Sequence, residues 1–119
     1  MSPLARAGQI VLVLFGLVNI VFSASVYAPS DDPFPNDANA LIATWGVAMG
    51  VLVIVLATAG LASQQQWPWM ALWVGPAFLA AHVLLLGTWI PDAVLAVIVS
   101  GALLVSRPRT RVYASPAPA

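Results

Sequence analysis

The chain has 119 residues, of which 61% are hydrophobic and 7% are charged. Soluble domains are about 45–50% apolar and about 25% charged, and a chain this short has too little interior to shield so much apolar surface from water. The composition therefore predicts a membrane protein. The absence of cysteine excludes thiolate catalysis and zinc–thiolate sites. The four basic residues form no tract that would predict nucleic-acid binding.

Four apolar segments follow one another along the sequence, and each is a candidate membrane span. A spanning helix needs about 20 apolar residues, and the predicted spans are residues 4–27, 39–62, 67–87 and 91–106. The last is short, because about 16 residues give about 24 Å of helix against a hydrocarbon core of about 30 Å. Residues 107–119 are polar and rich in proline, and we expect a disordered cytoplasmic tail there.

Polar and helix-breaking residues separate these spans. Residues 28–38 carry three prolines and three aspartates, and such a segment does not fit into hydrocarbon. Asn36 or Asp37 is the expected cap of the second helix. Gly87 suits the end of the third helix and Pro91 the start of the fourth.

The first span also fits the pattern of a signal peptide. Arg6 precedes an apolar run that ends in a potential cleavage point at Ala28, as signal peptides require. Pro29 would follow the cut and hinder it, and the apolar run is longer than the usual core of about 7–15 residues. We expect the span to remain part of the protein.

The separation of charge along the chain predicts the orientation. Basic residues concentrate on the cytoplasmic side of membrane proteins. In this chain they lie before the first span and after the last, at Arg6, Arg107, Arg109 and Arg111. The four aspartates all lie between Tyr27 and Ala93. We therefore expect an all-α fold, a four-helix antiparallel transmembrane bundle with both termini in the cytoplasm.

The second span carries a stripe of small residues. Its members recur at alternating spacings of four and three: Asn39, Ala43, Gly46, Gly50, Val53, Ala57 and Gly60. A seven-residue repeat keeps them on one face, and close packing of small residues drives helix association in lipid. We predict Gly46, Gly50, Ala57 and Gly60 as packing residues. Asn19 of the first span joins them, because its amide is unfavourable toward lipid.

The third and fourth spans offer further faces for packing. In the third span one face combines Ala77, Ala80, Ala81, Leu84 and Gly87, while His82 and Phe78 lie on a side nearly opposite. Gly75-Pro76 predicts a bend, because proline lacks a backbone N–H and clashes with the preceding turn. The fourth span offers Ala93, Ala96 and Ser100 at helical spacing.

His82 is the single histidine of the chain and the strongest candidate for chemistry. It could bind haem or a metal, contact a quinone or relay protons. A haem that bridges helices usually needs two histidines, and a relay needs a nearby carboxylate, whereas Asp92 lies past the next turn. We expect a structural His82 that forms hydrogen bonds to another helix, as do Asn19 with Ser23 and Thr44 with Thr58.

No other set of residues predicts a catalytic, metal or cofactor site. The aspartates at 31, 32 and 37 supply carboxylates that could hold a cation, but they lack the ordered alternation of a calcium loop, and we expect a solvated external turn. Small multidrug transporters need a glutamate within the membrane, and the chain has none. Quinone-coupled disulfide enzymes need cysteine pairs. The general outline resembles small bacterial four-helix membrane proteins of the DoxX-like kind, in length and number of spans alone.

The expected function is that of a small multi-pass protein of a cell membrane, the bacterial inner membrane, that acts as a non-enzymatic accessory or interaction subunit without a cofactor. Its expected partners are the lipid bilayer and either other membrane subunits or further copies of itself, and not nucleic acid. One alternative is a small-molecule or ion carrier that works as an oligomer through Asn19, Ser23 and His82. The other is a membrane subunit of a redox chain, with His82 near a quinone or haem.

Overall fold

A computed structural model describes residues 1–26, 37–87 and 89–108. In these residues the backbone is helical apart from short turns, and no strand occurs. The elements in chain order are helix α1 (Pro3–Val26), helix α2 (Asp37–Val55), a π-helical turn (Leu56–Gly60), and helices α3 (Gln66–Leu72), α4 (Val74–Leu86) and α5 (Trp89–Val105).

Three helical segments are long and apolar enough to cross a membrane: Pro3–Ser25, Ala43–Gly60 and Gln66–Leu85. The third contains α3 and α4 together. The fourth apolar helix, Ile90–Val105, is shorter, in keeping with the short fourth span in the sequence. The chain is thus an all-α protein with three long apolar helical segments and one shorter one.

Neighbouring helices run antiparallel. Near the start of α1, Gln9 lies against Ala57, and near its end Ser23 lies against Gly46. The end of α5 returns to the start of α1, where the Ser106 hydroxyl lies 3.3 Å from the Ala5 carbonyl oxygen. Helix α4 packs along α5, and α3 packs on the π-helical turn.

The apolar core lies where these helices meet. Its buried side chains come from every helical segment: Leu12, Phe15, Val53, Leu56, Ala57, Leu61, Leu72, Leu79, Val99, Ala102 and Leu103. At mid-length, Gly75 lies against both Phe15 and Val99, so that α1, α4 and α5 converge. Large apolar side chains also cover the outside, with Leu85 and Ile90 each 81% exposed.

The second helical segment is not the uninterrupted α-helix that residues 39–62 predict. Helix α2 ends at Val55 and continues through the π-helical turn, which holds one more residue per turn. The Thr58 hydroxyl donates to the Ile54 carbonyl at 2.7 Å, and the Gln9 side chain donates to the Ala57 carbonyl at 2.7 Å. Hydrogen bonds from the Thr58 and Gln9 side chains therefore support the π-helical turn. The spacing of the apolar residues does not predict this turn.

The third helical segment is also divided, one turn before the predicted bend. Proline at 76 has no N–H to donate to the carbonyl of residue 72, four positions earlier, and its ring crowds that carbonyl. Helix α3 accordingly ends at Leu72 and α4 begins at Val74. Between them, Trp73 N–H donates to the Met70 carbonyl at 3.2 Å, which tightens the turn.

The third segment packs within the chain through a face other than its alanine face. Ala77, Ala80 and Leu84 are exposed. The side chains that pack inward are Leu72, Leu79 and Val83, with Pro76 beside them. Residues at this spacing lie on one helical stripe, and the larger apolar side chains of that stripe fill the core better than alanine does. The alanine face is left to the outside.

Several expectations fall outside the described residues. They concern the acidic loop with Asp31 and Asp32, the cap at Asn36, and the tail from residue 109 onward. Asp37 is described as the first residue of α2.

Candidate functional site

Two glycines bring α1 and α2 into backbone contact. A Cβ atom placed on Gly50 would lie 2.6 Å from the Gly16 carbonyl oxygen, and one on Gly16 would lie 2.8 Å from the Gly50 carbonyl oxygen. Any side chain at either position would therefore collide with backbone. Small residues allow such an approach, and Cα–H···O contacts accompany it.

The other predicted packing residues continue this contact along α2. Gly46 lies against the buried Ser23 hydroxyl, with the Asn19 side-chain oxygen beyond it. Ala57 is completely buried. Gly60 faces α3 instead. A Cβ atom placed on Gly60 would lie 2.6 Å from the Pro68 Cβ. We name the surface formed by Gly16, Gly46, Gly50 and Gly60 the closed seam, since each of these glycines faces a neighbour within the chain.

Gln9 forms a polar link that the sequence analysis did not single out. Its Nε2 donates to the carbonyl oxygen of Ala57 at 2.7 Å and approaches that of Thr58 at 3.4 Å. Amide side chains inside a helix assembly need a partner. A glutamine in an apolar span therefore signals an interhelical bond, although the signal does not name the acceptor.

The hydroxyls of Thr44 and Thr58 do not join helices, contrary to the sequence-based expectation. Thr44 donates to the Ala40 carbonyl at 2.7 Å, within its own helix. Thr58 likewise donates to Ile54. A threonine hydroxyl readily reaches a carbonyl one turn back, so that it needs no partner on another helix.

His82 lies beside a carboxylate, which the sequence analysis did not expect. Its Nδ1 is 3.6 Å from Asp92 Oδ2, and the His82 and Asp92 side chains are 37% and 17% exposed. On its own helix, the ring of Phe78 stacks obliquely on the imidazole, with ring centroids 4.2 Å apart. The pair joins the last turns of α4 to the first turn of α5.

The short turn between α4 and α5 explains this proximity. Gly87 ends α4 in a left-handed conformation, with φ 69°, and α5 begins two residues later. His82 and Asp92 stand equally far from Gly87 in the sequence, and so do Gly75 and Val99, which also face each other. In an antiparallel hairpin with so tight a turn, residues equidistant from it pair. Applied to the sequence, this rule predicts Asp92 as the residue that faces His82.

The arrangement around His82 limits its chemistry. Among the described residues, no group of three histidine, cysteine or acidic side chains could hold a metal ion. A second haem ligand could come from Met49 or Met70, and Met70 lies in α3, at the opposite end of this segment from His82. Asn19 and Ser23, predicted to act with His82 in a carrier, face α2 instead. The His82–Asp92 pair offers an imidazole and a carboxylate that could together hold one polar group.

A groove of small residues lies between α4 and α5 on the outside. Its floor and edges are formed by Trp73, Pro76, Ala77, Ala80, Ala96, Val97, Ser100, Gly101 and Leu104. A Cβ atom on Gly101 would meet no described atom within 4 Å. Every other glycine either contacts a neighbour within 4 Å or, as at Gly87, adopts a positive φ. Among the described residues, Gly101 is thus the glycine that has neither a packing contact nor a positive φ, and we name this surface the open groove.

At the opposite end from His82, side-chain donors hold the end of α5. Trp69 Nε1 donates to the Leu103 carbonyl at 2.7 Å. The buried Ser106 hydroxyl donates to the Ala102 carbonyl at 2.7 Å. Arg107 lies over the Trp69 ring, with its Cζ 5.5 Å from the centroid. Tryptophan and arginine in such positions are typical of a membrane–water interface.

Comparison with known proteins identifies no relative of this chain. No protein-family model and no curated protein matches the sequence, and no solved structure matches the fold.

Proposed function

We propose that the protein is a small multi-pass protein of a cell membrane, the bacterial inner membrane, and that it acts as a non-enzymatic accessory subunit by binding a transmembrane helix of another subunit. The open groove carries this proposal. Small residues on a membrane helix allow a second helix to approach closely. Gly101, Ala80 and Ala96 offer such a surface, and no helix in the part of the chain that the structure describes covers it.

The exposed apolar surface supports insertion into a bilayer. Leu84, Leu85, Ile90 and Val97 are each more than 70% exposed, and in water such a surface would cause aggregation. Hydrocarbon accommodates these side chains, and the helical backbone satisfies its own hydrogen bonds there. The arginines at the two ends support a cytoplasmic location of both termini.

Site-specific photo-crosslinking in native membranes tests the accessory role. A photoreactive residue at Ala80, in the open groove, should form a discrete adduct with another membrane protein, and that protein should copurify in stoichiometric amount. The same residue at Val18, an exposed position on α1, is the matched control and should label mainly lipid. Equal protein adducts at both positions, or none at Ala80, would contradict the proposed contact.

A second outcome at Ala80 separates the accessory role from the alternatives. An adduct with the mass of two copies of this chain would indicate self-association, which favours the oligomeric carrier. The His82–Asp92 pair favours that alternative independently, since it offers a polar, titratable group beside an apolar surface. An absorption band of haem or quinone in the purified protein would favour the redox subunit.

Cysteine labelling tests the orientation. Because the chain has no native cysteine, single cysteines can be placed at Ser30, between the first two spans, and at Gln65, in the turn before α3. A membrane-impermeant reagent should label the cysteine at position 30 in intact cells or spheroplasts, and the cysteine at position 65 only after the membrane is opened. Labelling of position 65 in intact cells would contradict the proposed topology.

A further inference from the structure

We propose that the arginine-bearing end of the molecule contains a binding site for the headgroup of an anionic phospholipid. This inference rests on the proposed membrane location. A cavity of about 570 Å³ lies there between the start of α1, the turn after the π-helical turn, and the end of α5. It is lined by Met1, Ser2, Leu4, Ala5, Gln64, Val105, Ser106 and Arg107.

The lining of the cavity fits an amphipathic ligand with an anionic head. Arg107 is its one charged side chain, and Ser2 and Gln64 add polar groups. Leu4 and Val105 supply apolar walls and are themselves exposed, so that a glycerol backbone and the first acyl carbons could lie against them. No described acidic side chain lines the cavity. A phosphodiester, with its negative charge and hydrogen-bond acceptors, matches this combination.

Arg107 is held at the cavity by the Trp69 ring. Its Cζ lies 5.5 Å from the ring centroid, and a guanidinium in contact with an aromatic ring still has N–H donors for an anion. Two of the last carbonyls of α5 already accept hydrogen bonds from other side chains, at Leu103 from Trp69 and at Ala102 from Ser106. Arg107 is therefore not required as a donor to those carbonyls.

Gln64 forms the wall of the cavity at the end of the second helical segment. It has φ 57°, a left-handed conformation that commonly ends a helix and that residues other than glycine adopt rarely. Its Nε2 donates to the Leu61 carbonyl at 3.1 Å. Glycine would hold this turn with less strain, so that the Gln64 side chain can be removed without loss of the turn.

Lipid binding by the purified full chain in mild detergent tests the site. Native mass spectrometry should show preferential retention of phosphatidylglycerol over phosphatidylcholine, and phosphatidylglycerol should raise the unfolding temperature more. The substitution Arg107→Gln should weaken phosphatidylglycerol binding about tenfold, as expected for loss of a charged hydrogen bond. Arg6→Gln is the matched control, because Arg6 is exposed at the same end but does not line the cavity.

If Arg107→Gln reduces the amount of folded protein, the variant Gln64→Gly provides a second test of the site. The glycine suits the left-handed turn, so this variant should fold at least as well as the natural chain while binding phosphatidylglycerol more weakly. Equal retention of the two lipids, or equal losses from Arg6→Gln and Arg107→Gln, would overturn the site in favour of diffuse charge attraction. Stabilisation by glycerol phosphate that equals that of the lipid and depends on Arg107 would assign a soluble anion instead and also overturn it.

Membrane fractionation separates this failure from failure of the proposed function. A chain recovered in the membrane fraction without a preference for anionic lipid contradicts the headgroup site alone. A chain that is absent from the membrane fraction contradicts the proposed membrane role itself.

Discussion

The closed seam and the open groove are built from the same kinds of residue and behave in opposite ways. In the closed seam, Gly16 and Gly50 press two backbones together. In the open groove, a Cβ atom on Gly101 would meet no atom of another described helix within 4 Å. Small residues thus mark places where helices can approach, but their pattern does not say whether the approaching helix belongs to the same chain.

The side chains around each surface explain the difference. Along the closed seam, α1 presents Gly16 and Ser23, both small and buried, so that two stripes of small residues face each other. Along α4, the bulky Leu79 and Val83 turn inward, because a core needs volume and alanine supplies little. The alanines of α4 are displaced outward and form, with α5, a surface that a partner helix could fill.

Gly50→Leu should have the largest effect on stability. The new side chain would meet the Gly16 carbonyl and Ile20, and overpacking of this kind typically costs about 1–3 kcal/mol. Unfolding in detergent, followed by circular dichroism over temperature or denaturant, measures the loss. Ala48→Leu is the control, since Ala48 is exposed on the same helix. If both variants lose equal stability, the closed seam is wrongly assigned.

The link from Gln9 to the π-helical turn should have the next largest effect. Gln9→Leu removes the donor to Ala57, and interhelical hydrogen bonds in membranes contribute about 0.6 kcal/mol on average, with a maximum of about 1.7. The same unfolding measurement applies. Gln66→Leu places the same substitution at an exposed position and should change stability by less. A larger loss from Gln66→Leu would argue against the link.

The sequence predicts the helices better than their contacts. The lengths of the apolar runs predict all four helical segments, and the spacing of Gly46 and Gly50 predicts that they share a face. The π-helical turn escapes prediction because the spacing of apolar residues carries no mark of it, and the Gln9 side chain that donates to its Ala57 carbonyl lies far away in the sequence. The inward face of α4 also escapes, because a helix with apolar residues all round carries no polar side to orient it.

The His82–Asp92 pair should contribute little to stability. His82 Nδ1 and Asp92 Oδ2 are 3.6 Å apart, beyond the usual hydrogen-bond distance, and even hydrogen bonds between membrane helices contribute only about 0.6 kcal/mol on average. Asp92 makes a further interaction, so that only a double-mutant cycle of His82→Gln and Asp92→Asn isolates the pair. We expect both single variants to fold at normal abundance. Normal abundance combined with complete loss of function or of a bound cofactor would contradict a structural role for His82.

Gly101→Leu should have the smallest effect on the isolated chain and the clearest effect on association. The new side chain enters open space. The free energy of unfolding should therefore change by less than about 0.5 kcal/mol, as for other exposed positions. In the membrane the same leucine would fill the open groove and hold a partner helix away, and the crosslink from Ala80 should disappear. Loss of stability equal to that of Gly50→Leu would show that Gly101 packs within the chain. A crosslink that survives unchanged would show that the partner does not lie in the groove.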